Sequence, residues 1–296
     1  MPTAAVNGVE LYYEVSGDGF PVIFSHEFAG DYRAWDPQVR ALNRLYRCVT
    51  YNHRGFPPSS VPTDPAAYSQ DLLIEDLRAL VVDALGLQQA YFIGFSMGGN
   101  VVLNLALRYP ELCKAAVVVG TGSGSTNRER FEQDIDRVVS TLRTSGIEAF
   151  ASVYAEGPTR QPFKRKDPHG WRVFRQQLAD HSAEGQALTM LGVLRPRPTI
   201  FALETALQHL RVPVLLMTGD EDEPCVDPAV FMKRQIPTAG LHVVPQTGHA
   251  INLEEPAIFN RAVLDFFRLV EADRWPIRAA VSTSLLPEPA AVQRSG

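Results

Sequence analysis

The sequence has 296 residues, 45% of them apolar, so it can bury a substantial core as one large domain or two small ones. Its 28 Lys and Arg residues against 33 Asp and Glu residues form no dense basic block, which argues against nucleic acid as a partner. No segment approaches the roughly 18 apolar residues of a membrane span, and the N-terminal stretch has no targeting pattern. We therefore expect a soluble cytoplasmic protein that binds neither nucleic acid nor membranes.

The three cysteines, Cys48, Cys113 and Cys225, are scattered along the chain. They lack the Cys-x-x-Cys spacing of many zinc sites, and their odd number argues against a disulfide framework. We expect free thiols, no metal and no cofactor. The sequence does not determine the oligomeric state, and a homo-oligomer is one of the states that it allows.

Strand and helix patterns alternate along most of the chain. The stretch "GVELYYEVSGDGFPVIFSH" predicts two strands joined at a Gly-Asp-Gly turn, and the second ends in an apolar run typical of a buried strand. Helix and strand patterns then alternate up to "KAAVVVG", and again from "VPVLLMTG" to a last helix over residues 251–270. This alternation predicts the α/β class, a mostly parallel central sheet with helices on both faces.

One stretch, residues 122–210, interrupts the alternation because it contains helical patterns and no convincing strand. A structureless loop of that length is implausible, so we predict an all-helical insertion within a core formed by residues 1–121 and 211–272. It should lie over the carboxyl ends of the strands, where open α/β sheets bind ligands. Residues 273–296, rich in Pro, Ala and Ser, are expected to be peripheral or disordered.

The segment "GFSMG" places Ser96 between a predicted strand and a predicted helix. A hydroxyl is a weak nucleophile until a sharp turn presents it to substrate and a base takes its proton. G-x-S-x-G in a strand-turn-helix context is the nucleophile elbow. Ser96 is therefore the candidate nucleophile, and a small residue in a tight loop is the alternative.

The candidate base and acid follow Ser96 in the chain, in the order that this architecture uses. His249 in "QTGHAINLEEP" comes just after the last predicted strand. The strand "VPVLLMTG" ends in four crowded acids, Asp220 to Glu223, one of which would orient the imidazole and stabilise its charged form. We favour Asp222 over Asp220.

An oxyanion hole needs two backbone N–H groups aimed at the developing negative charge. One should be the N–H of Met97, the residue after the nucleophile. The other should come from the loop "HEFAG", where Phe28 is the best candidate. His26 in that loop is expected to be a structural hydrogen-bonding residue.

These motifs, in this order, resemble the α/β-hydrolase fold superfamily from about Val9 to Val270: "FSHEFAG", "YNHRGFPPSS", "GFSMGG", "GDEDEP" and "TGHAINLEEP". The resemblance implies Ser96 as nucleophile, Asp222 as acid and His249 as base, with Phe28 and Met97 as oxyanion donors. It also implies that the helical insertion is a cap over the site.

Glu27 departs from the family pattern, which commonly has glycine after the loop histidine. A carboxylate about 4 Å from the oxyanion would repel it by about 4 kcal/mol at an effective dielectric near 20, enough to cancel one backbone donor. We therefore expect Glu27 to point away from Ser96, paired with a cation or with backbone N–H groups, and to fix the loop. The rival hypothesis makes Glu27 a second general base within one water's reach of the serine.

These residues predict a cofactor-independent serine hydrolase that acts on a small to medium acyl compound, an ester or lactone. The elbow also resembles that of carbon–carbon bond hydrolases, although Ala250 replaces the aromatic residue that many of them carry after the histidine. Cofactor-free perhydrolysis on the same triad and a ligand receptor on a hydrolase fold are further alternatives. Apolar residues of the insertion are candidates for the substrate pocket: Phe150, Tyr154, Trp171, Phe174, Met190, Leu191 and Phe201, with Trp171, Phe174 and Met190 chosen among them.

Overall fold

The computed structural model describes residues 2–278. Eight strands form one sheet in the order β1-β2-β4-β3-β5-β6-β7-β8. β1 pairs antiparallel with β2, and β2 pairs antiparallel with β4, whereas all the other pairs are parallel. The strands span Thr3–Val6, Val9–Ser16, Pro21–Ser25, Arg47–Tyr51, Ala90–Phe95, Cys113–Val119, Val214–Gly219 and Ala239–Val244.

Eleven α-helices, α1 to α11, are present in residues 2–278. They span Asp36–Leu42, Gln70–Ala79, Met97–Arg108, Arg128–Tyr154, Gln161–Lys166, Pro168–Ala179, Ala183–Thr189, Glu204–His209, Glu223–Gln235, Ile251–Glu254 and Pro256–Glu271. Short 3-10 helices lie at Tyr32–Trp35, Pro65–Ala67, Pro110–Leu112, Pro158–Arg160 and Ile200–Leu203, and π-helical turns lie at Leu80–Ala84 and Met190–Leu194. The predicted α/β class is confirmed.

The central strands β3, β5, β6 and β7 are mostly apolar because both faces of the sheet are covered. Alternate residues of β5 separate into two clusters: Phe92 joins the larger one, which also contains cap residues, whereas Tyr91 and Ile93 join the other. The second cluster includes α11, whose Phe267 stacks on Tyr91 with ring centroids 3.9 Å apart. The core therefore holds the carboxyl ends of β3, β5, β6 and β7 at a fixed edge.

Two local features differ from the predicted elements. β1 was not predicted, although Asn7 and Gly8, with φ of 43° and 78°, form the two-residue turn that joins it to β2, and Asn-Gly is the strongest short hairpin signal. The single predicted last helix is two helices, because Glu255 precedes Pro256 and adopts extended φ of −132°.

Residues 120–213, all of them described, contain helices and turns and no strand. α4 is the longest helix and packs against α6 and α7, with a kink at Gly146. The short segment Ala155–Lys166 follows α4 and lies against the loops at the carboxyl edge of the sheet. We refer to residues 122–210 as the cap and to residues 155–166 as the cap bridge.

Of the predicted tail, residues 279–296 lie outside the described residues. Before them, Trp275 packs on Phe266 with ring centroids 4.6 Å apart, and its Nε1 donates to the carbonyl of Thr238 at 2.6 Å. The cysteines are buried free thiols, as expected. Within residues 2–278, no helix has the length and apolar character that crossing a membrane requires.

Candidate active site

Ser96 lies on the turn between β5 and α3. Its backbone has φ of 53° and ψ of −107°, a conformation that residues other than glycine rarely adopt and that marks functional turns. Its N–H donates to the carbonyl of Val119 on β6 at 2.8 Å. Ser96 is partly exposed, whereas its neighbours on both sides are buried. The turn thus holds this hydroxyl at the carboxyl edge of the sheet.

The glycines of the elbow are required by close backbone approach. A Cβ at Gly94 would lie 2.3 Å from the carbonyl oxygen of Gly98, and a Cβ at Gly98 would lie 2.2 Å from that of Ser25. Because Gly98 has no side chain, its N–H reaches the carbonyl of His26 at 3.1 Å. The start of α3 is therefore joined to the loop after β3.

His249 and Asp222 meet at this edge. Asp222 precedes α9 in the loop after β7, and its Oδ2 lies 2.7 Å from His249 Nδ1 in the loop after β8. Both side chains are buried. Asp220 instead accepts a hydrogen bond from the N–H of Thr247 at 3.2 Å. Of the two aspartates weighed from the sequence, the structure brings Asp222 to the imidazole.

Gly120, at the end of β6, is a site residue that the sequence interpretation missed. A Cβ there would lie 3.3 Å from both Asp222 Oδ2 and His249 Cε1, and 2.9 Å from Phe95 Cε2. Its φ of 50° also disfavours larger residues. The available signal was the glycine that ends "KAAVVVG", directly beside the elbow strand in the sheet.

The loop after β3 adjoins the elbow, because its His26 carbonyl accepts from the Gly98 N–H. Within residues 2–278, the N–H groups of Phe28 and Met97 donate to no other protein group. The Phe28 carbonyl accepts from Gln186 Nε2 of α7 at 3.1 Å. Unpaired N–H groups at this edge suit an anionic oxygen.

His26 has the structural role that the sequence predicts. Its Nε2 accepts from the N–H of His53 at 3.0 Å, and its Nδ1 lies 2.7 Å from the carbonyl of Glu27. Burial lowers the pKa of His26 to about 4, so its ring is neutral at pH 7. The neutral ring fixes the backbone of the loop.

Glu27 is paired with a cation, but it does not point away from the site. Its carboxylate forms a two-point ion pair with the guanidinium of Arg160, with Nη1 and Oε1 3.0 Å apart. Its Oε2 lies 3.9 Å from His249 Nε2, the ring nitrogen that does not contact Asp222. The expected pairing with a cation is confirmed, and the counter-charge comes from the cap.

Arg160 belongs to the cap bridge and is buried with Glu27. Its guanidinium lies 4.8 Å from the ring centroid of Phe174 and 5.5 Å from that of Tyr154. Burial is the largest single influence and lowers the pKa of Arg160, but the charges and hydrogen bonds of Glu27 and Tyr154 together outweigh it and raise the pKa. The neighbouring residue Thr159 accepts a hydrogen bond from the His249 N–H at 2.9 Å.

A cavity of about 560 Å³ lies on the cap side of this ion pair. Phe150, Val153, Tyr154 and Arg160 contribute to its wall. The Phe28 ring contacts two of them, with centroids 6.2 Å from those of Phe150 and Tyr154. Phe150 and Tyr154 therefore line the cavity and also pack against the oxyanion loop, whereas Phe28, Ser96 and His249 are not among the described residues that line it.

The three pocket residues favoured from the sequence lie elsewhere in the cap. Trp171 donates from Nε1 to the carbonyl of Ala155 at 2.8 Å and packs under Lys164. Phe174 supports the Arg160 guanidinium, and Met190 is buried beyond α7. None of the three is among the residues of the described chain that line the 560 Å³ cavity.

One group of side chains has metal-ligating atoms close together: those of Asp222, Cys225 and His249 lie within 4.8 Å of one another. The Asp222 and His249 atoms are already hydrogen-bonded to each other. Burial raises the pKa of the Cys225 thiol well above its usual value, so the thiolate that a metal needs is disfavoured. A hydrogen-bonded pair fits these residues better than a metal site.

A model of the alpha/beta hydrolase fold matches residues 21–256. The chain belongs to the alpha/beta hydrolase fold family. It is 31% identical over 280 residues to a proposed carbamate hydrolase, RutD, from Caulobacter sp. (strain K31), a match that covers 90% of this chain and 98% of that protein.

Solved structures resemble this alpha/beta hydrolase over nearly its whole length. The enol-lactonase from Burkholderia xenovorans LB400 is 26% identical with a TM-score of 0.79, and the match covers 90% of this chain and 100% of that one. A thermophilic esterase from Thermogutta terrifontis, solved with malate bound, is 27% identical with a TM-score of 0.79, covering 90% and 97%.

Proposed function

We propose that this hydrolase cleaves an ester or a lactone through an acyl-enzyme on Ser96. The observation that carries the proposal is the 2.7 Å contact between His249 Nδ1 and Asp222 Oδ2. The His249 ring centroid lies 4.9 Å from that of Phe95, the residue before Ser96, and Ser96 itself lies on a strained, partly exposed turn. The similarity to an enol-lactonase and an esterase supports this substrate class. The protein is a hydrolase, and we propose that Ser96 is its nucleophile.

In the first half of the reaction, the Ser96 hydroxyl attacks the substrate carbonyl while His249 takes its proton on Nε2. The Asp222 carboxylate accepts a hydrogen bond from the Nδ1–H group and stabilises the imidazolium that forms. The N–H groups of Phe28 and Met97 bind the oxyanion, each contributing about 2.7–4 kcal/mol by comparison with known donors. His249 then returns its proton to the leaving alcohol, which stays attached to the acyl group when the substrate is a lactone.

The acyl part of the substrate is proposed to lie toward the cap. Phe150 and Tyr154, whose rings pack against Phe28, also line the cavity of about 560 Å³, which is the size of a small-molecule pocket. Apolar burial on rings of this kind favours an acyl group of small to medium size.

The test is turnover of a panel of p-nitrophenyl esters and lactones by the wild type and by Ser96→Ala. Loss of the nucleophile should lower kcat by about 10⁶-fold, as in other serine hydrolases, with an unchanged melting temperature. Ser152→Ala, at an exposed position of α4, is the matched control and should retain full activity. Ser96→Ala turnover near the wild-type rate would overturn the proposal.

A further inference from the structure

Two acceptor atoms, His249 Nε2 and Glu27 Oε2, lie close together in the buried site. His249 Nε2 is the acceptor of the neutral ring, because Nδ1 carries the proton shared with Asp222. Glu27 Oε2 lies 3.9 Å from it, and both side chains are buried. That distance is too long for a direct hydrogen bond and short enough for one water oxygen to lie within about 2.8 Å of each atom.

We propose that Glu27 and His249 together hold the water that hydrolyses the acyl-enzyme, and that this arrangement selects water over alcohols as the nucleophile. The inference rests on the proposed acyl-enzyme at Ser96. It assigns Glu27 a hydrogen-bond acceptor's role in the second half-reaction, in addition to its structural contact with the cap.

The step balances in atoms and electrons. The water oxygen forms a bond to the acyl carbon, and one water proton moves to His249 Nε2. The other proton remains on that oxygen, donating to Glu27 Oε2. The bond between the acyl carbon and Ser96 Oγ then breaks, the proton on Nε2 passes to Oγ, and the carboxylic acid leaves with the second water proton. Glu27 is unchanged at the end.

The ion pair leaves Glu27 able to perform this role. A carboxylate has about four lone-pair positions, and the two-point contact with Arg160 uses two of them. The guanidinium offsets the charge of Glu27, so the oxyanion meets a neutral pair instead of an isolated carboxylate. The cap arginine thereby removes the repulsion that would otherwise make a carboxylate unsuitable at this position.

The preference for water over methanol follows from the number of hydroxyl protons that each molecule can donate. Water can donate to both acceptors at once, whereas methanol has one hydroxyl proton and leaves either His249 Nε2 or the remaining lone pair of Glu27 Oε2 without a donor, although Oε2 keeps its contact with Arg160. Losing a hydrogen bond in a buried site costs free energy, so the wild type should discriminate against methanol. In Glu27→Gln, the amide oxygen should turn to Arg160, which only donates, and the amide N–H groups should face His249. The acceptor for the second water proton is then lost.

The experiment measures the ratio of methyl acetate to acetate formed from p-nitrophenyl acetate in buffer with added methanol. This ratio reports the choice of nucleophile whichever step limits the rate and whatever fraction of the enzyme is folded. For Glu27→Gln we expect the ratio to rise at least tenfold and deacylation to slow by about 10²-fold, with the rate of acylation within a few-fold of wild type. Glu221→Gln, which breaks an exposed ion pair with Arg165, is the matched control and should leave the ratio unchanged.

An unchanged ratio in Glu27→Gln, or an equal fall in acylation and deacylation, would overturn the inference and leave Glu27 with a structural role only. If Glu27→Gln does not fold, the double variant with Arg160→Met removes the unpaired buried cation, and the same ratio decides. Failure of the proposed function is distinguishable, because the wild type would then release no p-nitrophenol.

Discussion

The carboxyl edge of the sheet and the cap bridge meet at the same site, but their residues are positioned differently. Ser96 and Asp222 follow the buried strands β5 and β7, and His249 follows the edge strand β8, so the ladder of the sheet positions their backbones. Arg160 lies in a short 3-10 turn and is held by side-chain contacts to a loop far away in sequence. The difference suggests that the edge supplies bond-making groups and that the bridge controls charge and access above them.

The two regions are joined at several points. Thr159 accepts from the His249 N–H, and Lys166 lies 2.9 Å from Thr247 Oγ1 and 2.7 Å from Glu255 Oε1. These contacts all fall on the loop that carries the histidine or on the start of the helices after it. A change in the bridge should therefore be transmitted to His249, although the bridge holds no member of the proposed triad.

The largest effect should come from the edge, at Asp222. Asp222→Asn should lower kcat by about 10⁴-fold, because the amide presents the wrong imidazole tautomer. The matched control is Asp220→Asn, whose amide oxygen can still accept from the Thr247 N–H and which should cost less than tenfold. Steady-state turnover of p-nitrophenyl acetate measures both, and a larger loss in Asp220→Asn would reverse the assignment of the acid.

A smaller effect, on stability, should come from the bridge. Arg160→Ala leaves Glu27 buried without its cation and should lower the free energy of unfolding by about 3–5 kcal/mol. Arg165→Ala, five residues on and in an exposed pair with Glu221, should cost less than about 1 kcal/mol.

Urea unfolding of both variants makes this comparison. Adding Glu27→Gln to an Arg160→Met background should recover most of the lost stability, because both buried charges are then absent. Equal stability of the Arg160 and Arg165 variants would show that the buried pair does not hold the bridge to the edge.

The smallest effect should come from Phe150, one of the aromatic residues that line the cavity, and it should be on substrate selectivity. Phe150→Leu keeps an apolar side chain of similar size and should cost less than about 1.5 kcal/mol of stability. It should change the ratio of kcat/KM between butyrate and acetate esters by several-fold, since one methylene in an apolar pocket is worth about 1–3 kcal/mol. Phe174→Leu, behind Arg160, should change that ratio less. The reverse ranking would place the acyl group on the other side of the ion pair.

The residues at the carboxyl edge of the sheet could be predicted from the sequence because the patterns that mark them are local. The alternation of strands and helices gives the parallel sheet, and glycines beside Ser96 mark the elbow within five residues. Asp222 could be separated from Asp220 only by resemblance, since both lie in one acidic loop. The short strand β1 was missed, although the Asn7-Gly8 turn was a usable signal.

The bridge could not be predicted in the same way. Arg160 stands in "PTRQPFKRK", which has the composition of a solvated basic segment, and its partner Glu27 is 133 residues away. The sequence indicated that a carboxylate at position 27 requires a counter-charge, but no local pattern indicates which of the chain's 28 basic residues supplies it. The position of the Glu27 carboxylate near His249 follows from its contact with Arg160 of the cap and not from the sequence of the loop after β3.

The most direct test of the central claim is identification of the residue that a fluorophosphonate modifies. After labelling and digestion, mass spectrometry should find the phosphonyl group on Ser96 alone, at one per chain, and Asp222→Asn should label much more slowly. A protein that turns over esters but carries the label on another residue, or carries none, would contradict the account.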